Sequence, residues 1–465
     1  MLIALGITLS LLVIAGIAFQ VAANYRCNVD LITPWTLYLL VAIIDIYVPG
    51  ILFLSYEIPE QASYVSPFSQ EDLVVALTWF TFSIPVWAMG YFAAQLNWKG
   101  RVKTDAAQWN INIRRVYMLA IYSGGWYAAY LLVDIVNSGS LSEYLAIKIQ
   151  RNYGSRTEYT NALEAILFQL APIMRTIFTM LVGVLFFFRE KYSRPYLWGI
   201  VLPVIGWLVV ATTFFRGSQI IYFLSLFILE WQRRKEVTNL DMHALPNKKS
   251  GGKGKVKGAF ILLLVGSLLF VSYGTIRNYY NSSSESQNNA LSIESSFLLE
   301  GVRLIRGEGL VGYTRIINAY PESAAYLEGK TYLDMMLLIV PRAIYTSKPD
   351  WYGVSDITRG IGSPETTQDA VTIPGEAYAN FGPFGMPLVA VFGAFYGFFY
   401  KYRNHPRYKF AYAFVVVPSI FVSFWMSLTG LVNNMQVFPF ALLVLLLVIQ
   451  KTPNATSVGS KREDQ

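Results

Sequence analysis

The sequence predicts an all-α polytopic membrane protein with about eleven transmembrane helices and one large extracytoplasmic loop carrying amphipathic or re-entrant helices. Three observations predict it. Of the 465 residues, 54% are hydrophobic and only 14% charged, against about 25% charged in a soluble domain. The apolar residues are gathered into uncharged blocks, the clearest over 259–271 and 437–449, and a soluble core cannot hide that many of them. The 37 Lys and Arg residues fall mostly in alternate connections between the blocks, which is the pattern of a chain oriented by the positive-inside rule.

In chain order the spanning segments cover about 2–23, 35–56, 73–96, 116–136, 166–188, 196–215, 219–231, 259–276, 384–400, 410–429 and 437–450. Residues 1–276 then hold eight helices, 277–383 the large outer loop, and 384–465 three helices and a short tail. No basic stretch precedes the first apolar block, so an uncleaved first span is expected there rather than a signal peptide. Basic residues gather around Lys99–Arg115, around Arg189–Arg194, in 232–258 and in 401–409. Those connections are therefore assigned to the cytoplasm, with the N-terminus outside and the C-terminus inside. The net charge of +8 describes this orientation, and no nucleic-acid partner is needed to explain it. The loop 232–258 ends Gly-Gly-Lys-Gly-Lys-Val-Lys-Gly and reads as a flexible basic tether. The segment 219–231 has about 13 residues, or ~20 Å of helix, so the Arg216–Gly217 turn before it is expected to sink below the outer surface.

Several chemistries are excluded. A single Cys27 gives no disulfide framework, zinc cluster or redox pair. His243 and His405 form no HExxH, and no phosphate-binding GxxxxGK[ST] occurs. The Gly307–Gly312 stretch spells GxGxxG, but it follows no strand of a βαβ unit and is read as chance.

Chemistry is expected in the outer loop. Leu291, Ile293, Phe297, Leu298, Val302 and Ile305 recur at helical spacing. The apolar run Tyr332–Val340 stops at Pro341. It is too short to span, so it lies on the membrane surface or re-enters. Arg303, Arg306, Arg315, Arg342, Lys348 and Arg359 lie on this side, where the positive-inside rule does not explain them. Arg175 sits in the outer half of a span and Arg216 at a helix turn. An arginine in the bilayer faces protein, water or an anion, and guanidinium groups bind phosphate bidentately. The cluster therefore suggests an anionic ligand such as the diphosphate of a polyprenyl lipid carrier. The plainer reading pairs Arg175 and Arg216 with Asp134, Asp45 or carbonyls.

Glu376 lies in Thr372-Ile-Pro-Gly-Glu-Ala-Tyr-Ala-Asn-Phe-Gly-Pro-Phe-Gly385. It is a candidate general base for a sugar hydroxyl, with Asp350, Asp356, Glu365 and Asp369 upstream. The surrounding Pro and Gly residues suggest a tight turn rather than a regular helix, and the plainer role for Glu376 is to cap that turn. Tyr313, Tyr320, Tyr326, Tyr345, Trp351, Tyr352, Tyr378 and Phe381 either stack on sugars or form an interfacial belt.

The stretch Val340-Pro341-Arg342, the Lys348-Pro349 pair and Pro374-Gly375-Glu376-Ala377-Tyr378-Ala379-Asn380-Phe381-Gly382, followed by a glycine-bearing span, resemble the Wzy-type O-antigen or oligosaccharide repeat-unit polymerases. The Phe215-Arg216-Gly217-Ser218 turn is similar to an Arg-Gly turn of the same family. The local matches cover about a seventh of the chain. The resemblance implies a membrane glycosyltransferase of GT-C type on the outer face of the bacterial cytoplasmic membrane. It would move a growing glycan from polyprenyl (undecaprenyl) diphosphate to the non-reducing end of a new lipid-linked repeat unit. It implies no nucleotide sugar, and a chain-length-regulating co-polymerase as partner beside the lipid-linked oligosaccharide; with a basic cluster and no metal-ligand spacing, no metal and no cofactor are expected. Carried over residue by residue, Arg216, Arg342 and Lys348 would hold the diphosphate. Glu376 would be catalytic, with Tyr378 and Asn380 beside it. Arg175, Arg306 and Tyr313 join the expected site by placement.

Three alternatives stand beside this reading. O-antigen ligases usually place a histidine in the outer loop, and here both histidines are assigned to the cytoplasm. A metal-dependent GT-C enzyme would want acidic ligands in the first outer loop, where Glu57, Glu60, Glu71 and Asp72 lie. A lipid-linked-sugar flippase would line a path with Arg175, Asp45 and Asp134.

Overall fold

The computed structural model describes residues 6–8, 10–11, 13–16, 33–55, 68–96, 109–144, 162–191, 193–213, 216–244, 308–338, 354–361 and 370–451. Among them the chain is helical, apart from one antiparallel pair of three-residue strands. The elements in chain order are α1 Pro34–Ser55, α2 Gln70–Leu96, β1 Trp109–Ile111, α3 Ile113–Asn137, α4 Ala162–Phe187, α5 Pro195–Ala211 and α6 Arg216–Ala244. They continue as α7 Glu308–Ala319, α8 Lys330–Leu338, α9 Val354–Gly360, α10 Ile373–Phe381, α11 Met386–Lys401, α12 Tyr408–Ala411, α13 Val417–Met435, α14 Phe438–Val448 and β2 Ile449–Lys451.

Five helices are long and apolar enough to cross a membrane: Pro34–Ser55, Gln70–Leu96, Ile113–Asn137, Ile166–Phe187 and Ile373–Lys401. Shorter apolar helices cover Gly6–Gly16, Leu197–Ala211, Tyr408–Phe424 and Phe438–Val448. This is the make-up of a helical membrane-embedded protein. The expected span at 259–276 and the amphipathic stretch at 291–305 lie outside the described residues. Large apolar side chains such as Phe82 and Met89 on α2, and Met118 and Ile121 on α3, are exposed. In water such faces mark a contact surface; on a span they face lipid.

The chain divides into two compact units. The first comprises Met1–Lys99, Val271–Lys401 and Val416–Gln436. Its α1 starts at the Thr33-Pro34 signal: the Thr33 hydroxyl accepts from the Thr36 amide, the Thr36 hydroxyl answers the Thr33 amide, and Pro34 fills the first turn. α2 and α11 pack backbone to backbone through glycine. A Cβ on Gly90 would collide with the Ala390 carbonyl, and one on Gly393 with the Trp87 carbonyl. Small residues permit this close crossing, which replaces the hydrophobic effect as the source of helix–helix attraction in lipid. Around it stacks an aromatic core: Tyr38 on Trp87 at 4.7 Å, Trp87 on Tyr91 at 5.4 Å, and Phe80 edge-on to Tyr313 at 5.7 Å.

The second unit comprises Gly100–Phe270, Tyr402–Val415 and Val437–Gln465. α4 packs along α3 and α5. β1 and β2 pair with Ile111 opposite Ile449, a small exception to the all-α expectation. The segment expected to be a short helix over 219–231 is corrected: α6 runs for 29 residues, from Arg216 to Ala244. The expected loop 232–258 is therefore helical as far as Ala244, and its glycine-rich remainder lies outside the described residues. Charged residues do not end α6, because Arg, Lys and Glu are good helix formers and because Glu230 gives the helix an anchor. The buried Glu230 carboxylate accepts from Arg189 Nη2 at 2.8 Å, Arg233 Nε at 3.0 Å and Nη2 at 2.9 Å, and Arg234 Nε at 2.7 Å. Arg233 also bridges to Glu190. The same end holds Lys409, buried with its ammonium 3.8 Å from the Phe187 ring centre.

Two stability changes are expected. Gly393→Ala forces α2 away from α11 and should cost about 1–3 kcal/mol, the range for overpacking, read as a lower thermal midpoint in detergent. Glu230→Ala leaves Arg189 and Arg234 without this carboxylate and Arg233 with Glu190 alone. It should cost about 3–5 kcal/mol, the range for breaking a buried ion pair, in the same measurement.

Candidate functional site

The longest motif stretch becomes α10, a helix, and not the tight turn expected from its Pro and Gly content. Thr372 caps it, its hydroxyl accepting from the Gly375 amide at 3.1 Å, and Pro374 sits in the first turn. A proline there loses no hydrogen bond, since first-turn amides have no helical partner. The turn comes later, at Gly382, whose φ of +58° favours glycine. Thr372 does the capping, so Glu376 is free to point elsewhere.

Glu376 is fully buried and both its oxygens are engaged. Oε1 accepts from the Thr331 hydroxyl at 2.7 Å and Oε2 from the backbone amide of Leu428 at 2.9 Å. That amide is available because α13 is broken. Ser427 has φ 47° and ψ −133° inside an otherwise helical run, a conformation costing an L-residue about 1–3 kcal/mol. The break removes Leu428 from the helical ladder, and a carboxylate takes the place of the lost carbonyl.

Asn380, one turn beyond Glu376, completes the network. Its Nδ2 donates to the Thr331 hydroxyl at 2.7 Å and to the Glu376 carbonyl at 2.8 Å, and its Oδ1 accepts from the Gly329 amide at 3.0 Å. The direction is consistent along the chain of donors: amide to hydroxyl, hydroxyl to carboxylate. The Leu327 and Glu328 amides bond the carbonyls of Ala379 and Asn380 at 3.0 Å each. Thus the turn before α8 is stitched to the end of α10. Tyr378 packs between Trp79 and Tyr326, at 6.1 and 6.2 Å between ring centres. Tyr313 is fully buried against Phe80 and beside Gly375, and its hydroxyl finds no hydrogen-bond partner among the described residues.

The structure therefore brings together Glu376, Asn380, Tyr378 and Tyr313, all in the first unit. Arg175 and Arg216 belong to the second. Arg175 is half-buried within a span. Arg216 opens α6, and its side chain lies outside the described residues. Arg306, Arg342 and Lys348 also lie outside them. The acids named as structural partners have other contacts: Asp45, in a π-helical stretch of α1, accepts from the Gly309 amide at 2.9 Å, and Asp134 accepts from Tyr130 at 3.0 Å. A carboxylate at the first turn of α7 is favourable electrostatically. Gly309 and Gly312, two glycines of the chance GxGxxG, are packing positions in α7. A side chain there would strike Asp45 and the Ala370 carbonyl. Among the described residues no three His, Cys, Asp or Glu side chains converge as a metal site.

Sequence reasoning missed Thr331 and the Ser427 break. The break had a local signal, the Ser427-Leu-Thr-Gly430 interruption of an apolar run. Thr331 had none.

No family model matches the chain, and no curated protein or solved structure is significantly similar to it.

Asn380→Ala should destabilise by about 1–3 kcal/mol, because it leaves the Gly329 amide buried without an acceptor. Thermal unfolding in detergent checks this. Asn380→Asp keeps the acceptor for Gly329 but turns an oxygen toward the Glu376 carbonyl and buries a second carboxylate, so it should not recover the loss.

Proposed function

We propose that this protein is a glycosyltransferase that polymerises lipid-linked oligosaccharide repeat units on the outer face of the bacterial cytoplasmic membrane. The growing glycan passes from polyprenyl diphosphate to the non-reducing end of a new repeat unit. The observation that carries the reading is that the nine-residue motif of the family resemblance, 374–382, coincides with the buried hydrogen-bond hub of the first unit. A stretch chosen by resemblance is also the stretch on which the fold converges, and active-site scaffolds are held in this way.

In this reading the donor is already activated by its diphosphate, so the protein's task is positioning and charge neutralisation. On the first unit, Arg342 and Lys348, with Arg306, hold the diphosphate. In sequence, Arg342 and Lys348 fall between α8 and α9, the elements tied to α10. Glu376 and Asn380 hold the platform, and Tyr378 with the partly exposed Phe381 offers the aromatic face for sugar. A co-polymerase that regulates chain length is the expected protein partner.

One feature favours a second reading, a lipid-linked-sugar flippase. Helices broken within the membrane recur at transporter binding sites, and α13 is broken at Ser427, although its freed Leu428 amide is taken by Glu376. The product separates the two: chain elongation by purified protein, or translocation without it.

For the polymerase, Arg342→Ala should lower elongation of a lipid-linked repeat unit by about 10²–10³-fold, the loss typical of one electrostatic contact to a developing charge. Near wild-type elongation by both Arg342→Ala and Lys348→Ala would overturn the diphosphate clamp.

A further inference from the structure

Glu376 poses a charge problem that its hydrogen bonds do not solve. It lies in the Ile373–Lys401 segment, long and apolar enough to cross a membrane, and it is fully buried. Its carboxyl group meets only neutral donors, the Thr331 hydroxyl and the Leu428 amide, and among the described residues no lysine, arginine or histidine pairs with it. The network is nevertheless oriented for an anion. The Asn380 amide is fixed by the Gly329 amide and the Glu376 carbonyl, so its Nδ2 donates to the Thr331 oxygen and leaves the Thr331 proton for Oε1. Buried charges are paired with an opposite charge or bound to a metal ion, because a lone ion loses too much solvation.

The oxygens at this place form an incomplete set. Each carboxylate oxygen accepts one hydrogen bond and keeps a second lone pair. Ser427 immediately precedes the Leu428 amide, and its hydroxyl lies beside the carboxyl group. That hydroxyl is fully buried and has no hydrogen-bond partner among the described residues. In an unbroken helix the Leu428 amide would serve the Phe424 carbonyl, four residues back. With that amide given to Glu376, the carbonyl loses its donor. Carboxylate, hydroxyl and carbonyl oxygens thus lie together at one break in a membrane helix. Hard cations select oxygen ligands, and broken membrane helices use their freed carbonyls to hold Na⁺. One carboxylate balances one positive charge, which makes the ion monovalent. No metal-ligand spacing announces such a site in the sequence, since it needs a single acid and neutral oxygens from distant positions.

We propose that the break in α13 is a binding site for an alkali-metal cation, Na⁺ or K⁺, held by the Glu376 carboxylate, the Ser427 hydroxyl and the Phe424 carbonyl. The inference goes beyond the transferase reading and does not depend on it. The ion neutralises Glu376 and gives the Ser427 hydroxyl and the Phe424 carbonyl a partner. Because Glu376 also receives Thr331 from α8, an occupied site joins α8, α10 and α13, and loss of the ion leaves a bare charge at their junction.

The test uses full-length protein in lipid nanodiscs in choline chloride, with NaCl or KCl replacing choline at constant ionic strength. An ion that binds the folded state raises the thermal midpoint saturably, so one of the two salts should do so where choline does not. Radiolabelled Na⁺, or Rb⁺ in place of K⁺, should bind at a single saturable site, and the arm that saturates names the ion. Glu376→Gln removes the charge but keeps an acceptor for the Leu428 amide. The dependence on alkali ion should vanish, and in choline this variant should unfold at or above the wild-type temperature. A hub that is only a hydrogen-bond network predicts the reverse, a lower midpoint in every salt. Ser427→Gly deletes the hydroxyl and suits the φ of 47°. It should raise the half-saturating ion concentration by about tenfold, the order for one neutral group on a charge, without lowering the midpoint in choline. Equal wild-type midpoints in all three salts with no saturable uptake overturn the site, and so does uptake that both variants leave unchanged. Should Glu376→Gln not fold, wild-type uptake and the Ser427→Gly shift decide. Elongation is not read in any arm, so the polymerase reading stands or falls separately.

Discussion

The first unit depends on one carboxylate accepting from one backbone amide. Inside a bilayer-spanning protein an unmatched amide is costly, because no water is present to take its place. Breaking α13 at Ser427 releases the Leu428 amide, and Glu376 Oε2 receives it at 2.9 Å. Glu376 itself must be satisfied on its other oxygen, which recruits Thr331, and Thr331 recruits Asn380. The members lie on three elements, Thr331 on α8, Glu376 and Asn380 on α10 and Leu428 on α13, so the requirement to satisfy one group propagates into the docking of all three. Removing any member leaves a polar atom orphaned, which is why partly satisfied networks are worse than apolar cores.

This arrangement has a consequence for chemistry. A carboxylate saturated by structural donors is a poor place to look for a proton acceptor. The hub ties α8, α10 and α13 to one another. The second unit follows the same rule with different groups. There Glu230 is buried against three arginines, and the ion pairs join the end of α4 to α6.

Much of the helical layout was legible from composition. Spans at 73–96, 116–136 and 166–188 correspond to α2, α3 and α4 within a few residues, because transfer of an apolar block to lipid is a sum over neighbouring side chains. Element ends were less legible. α6 outran its apolar block, since Arg233, Arg234 and Lys235 extend a helix into water as readily as apolar residues extend it through lipid. The α10 stretch read as a turn because Pro374 and Gly375 dominate its local signal, although a threonine cap followed by proline is also how helices begin.

The sequence by itself determined that this is a helical membrane protein with few charges, and it singled out Glu376 and Asn380 as residues of interest. Their partners were decided only by tertiary structure. Thr331 lies 45 residues before Glu376 and Leu428 lies 52 after it. Nothing local in either stretch announces the pairing. Hydrophobic burial is written residue by residue and can be read along the chain. A hydrogen bond needs two groups at one place and one angle, and where a carboxylate finds its donors depends on how distant helices cross.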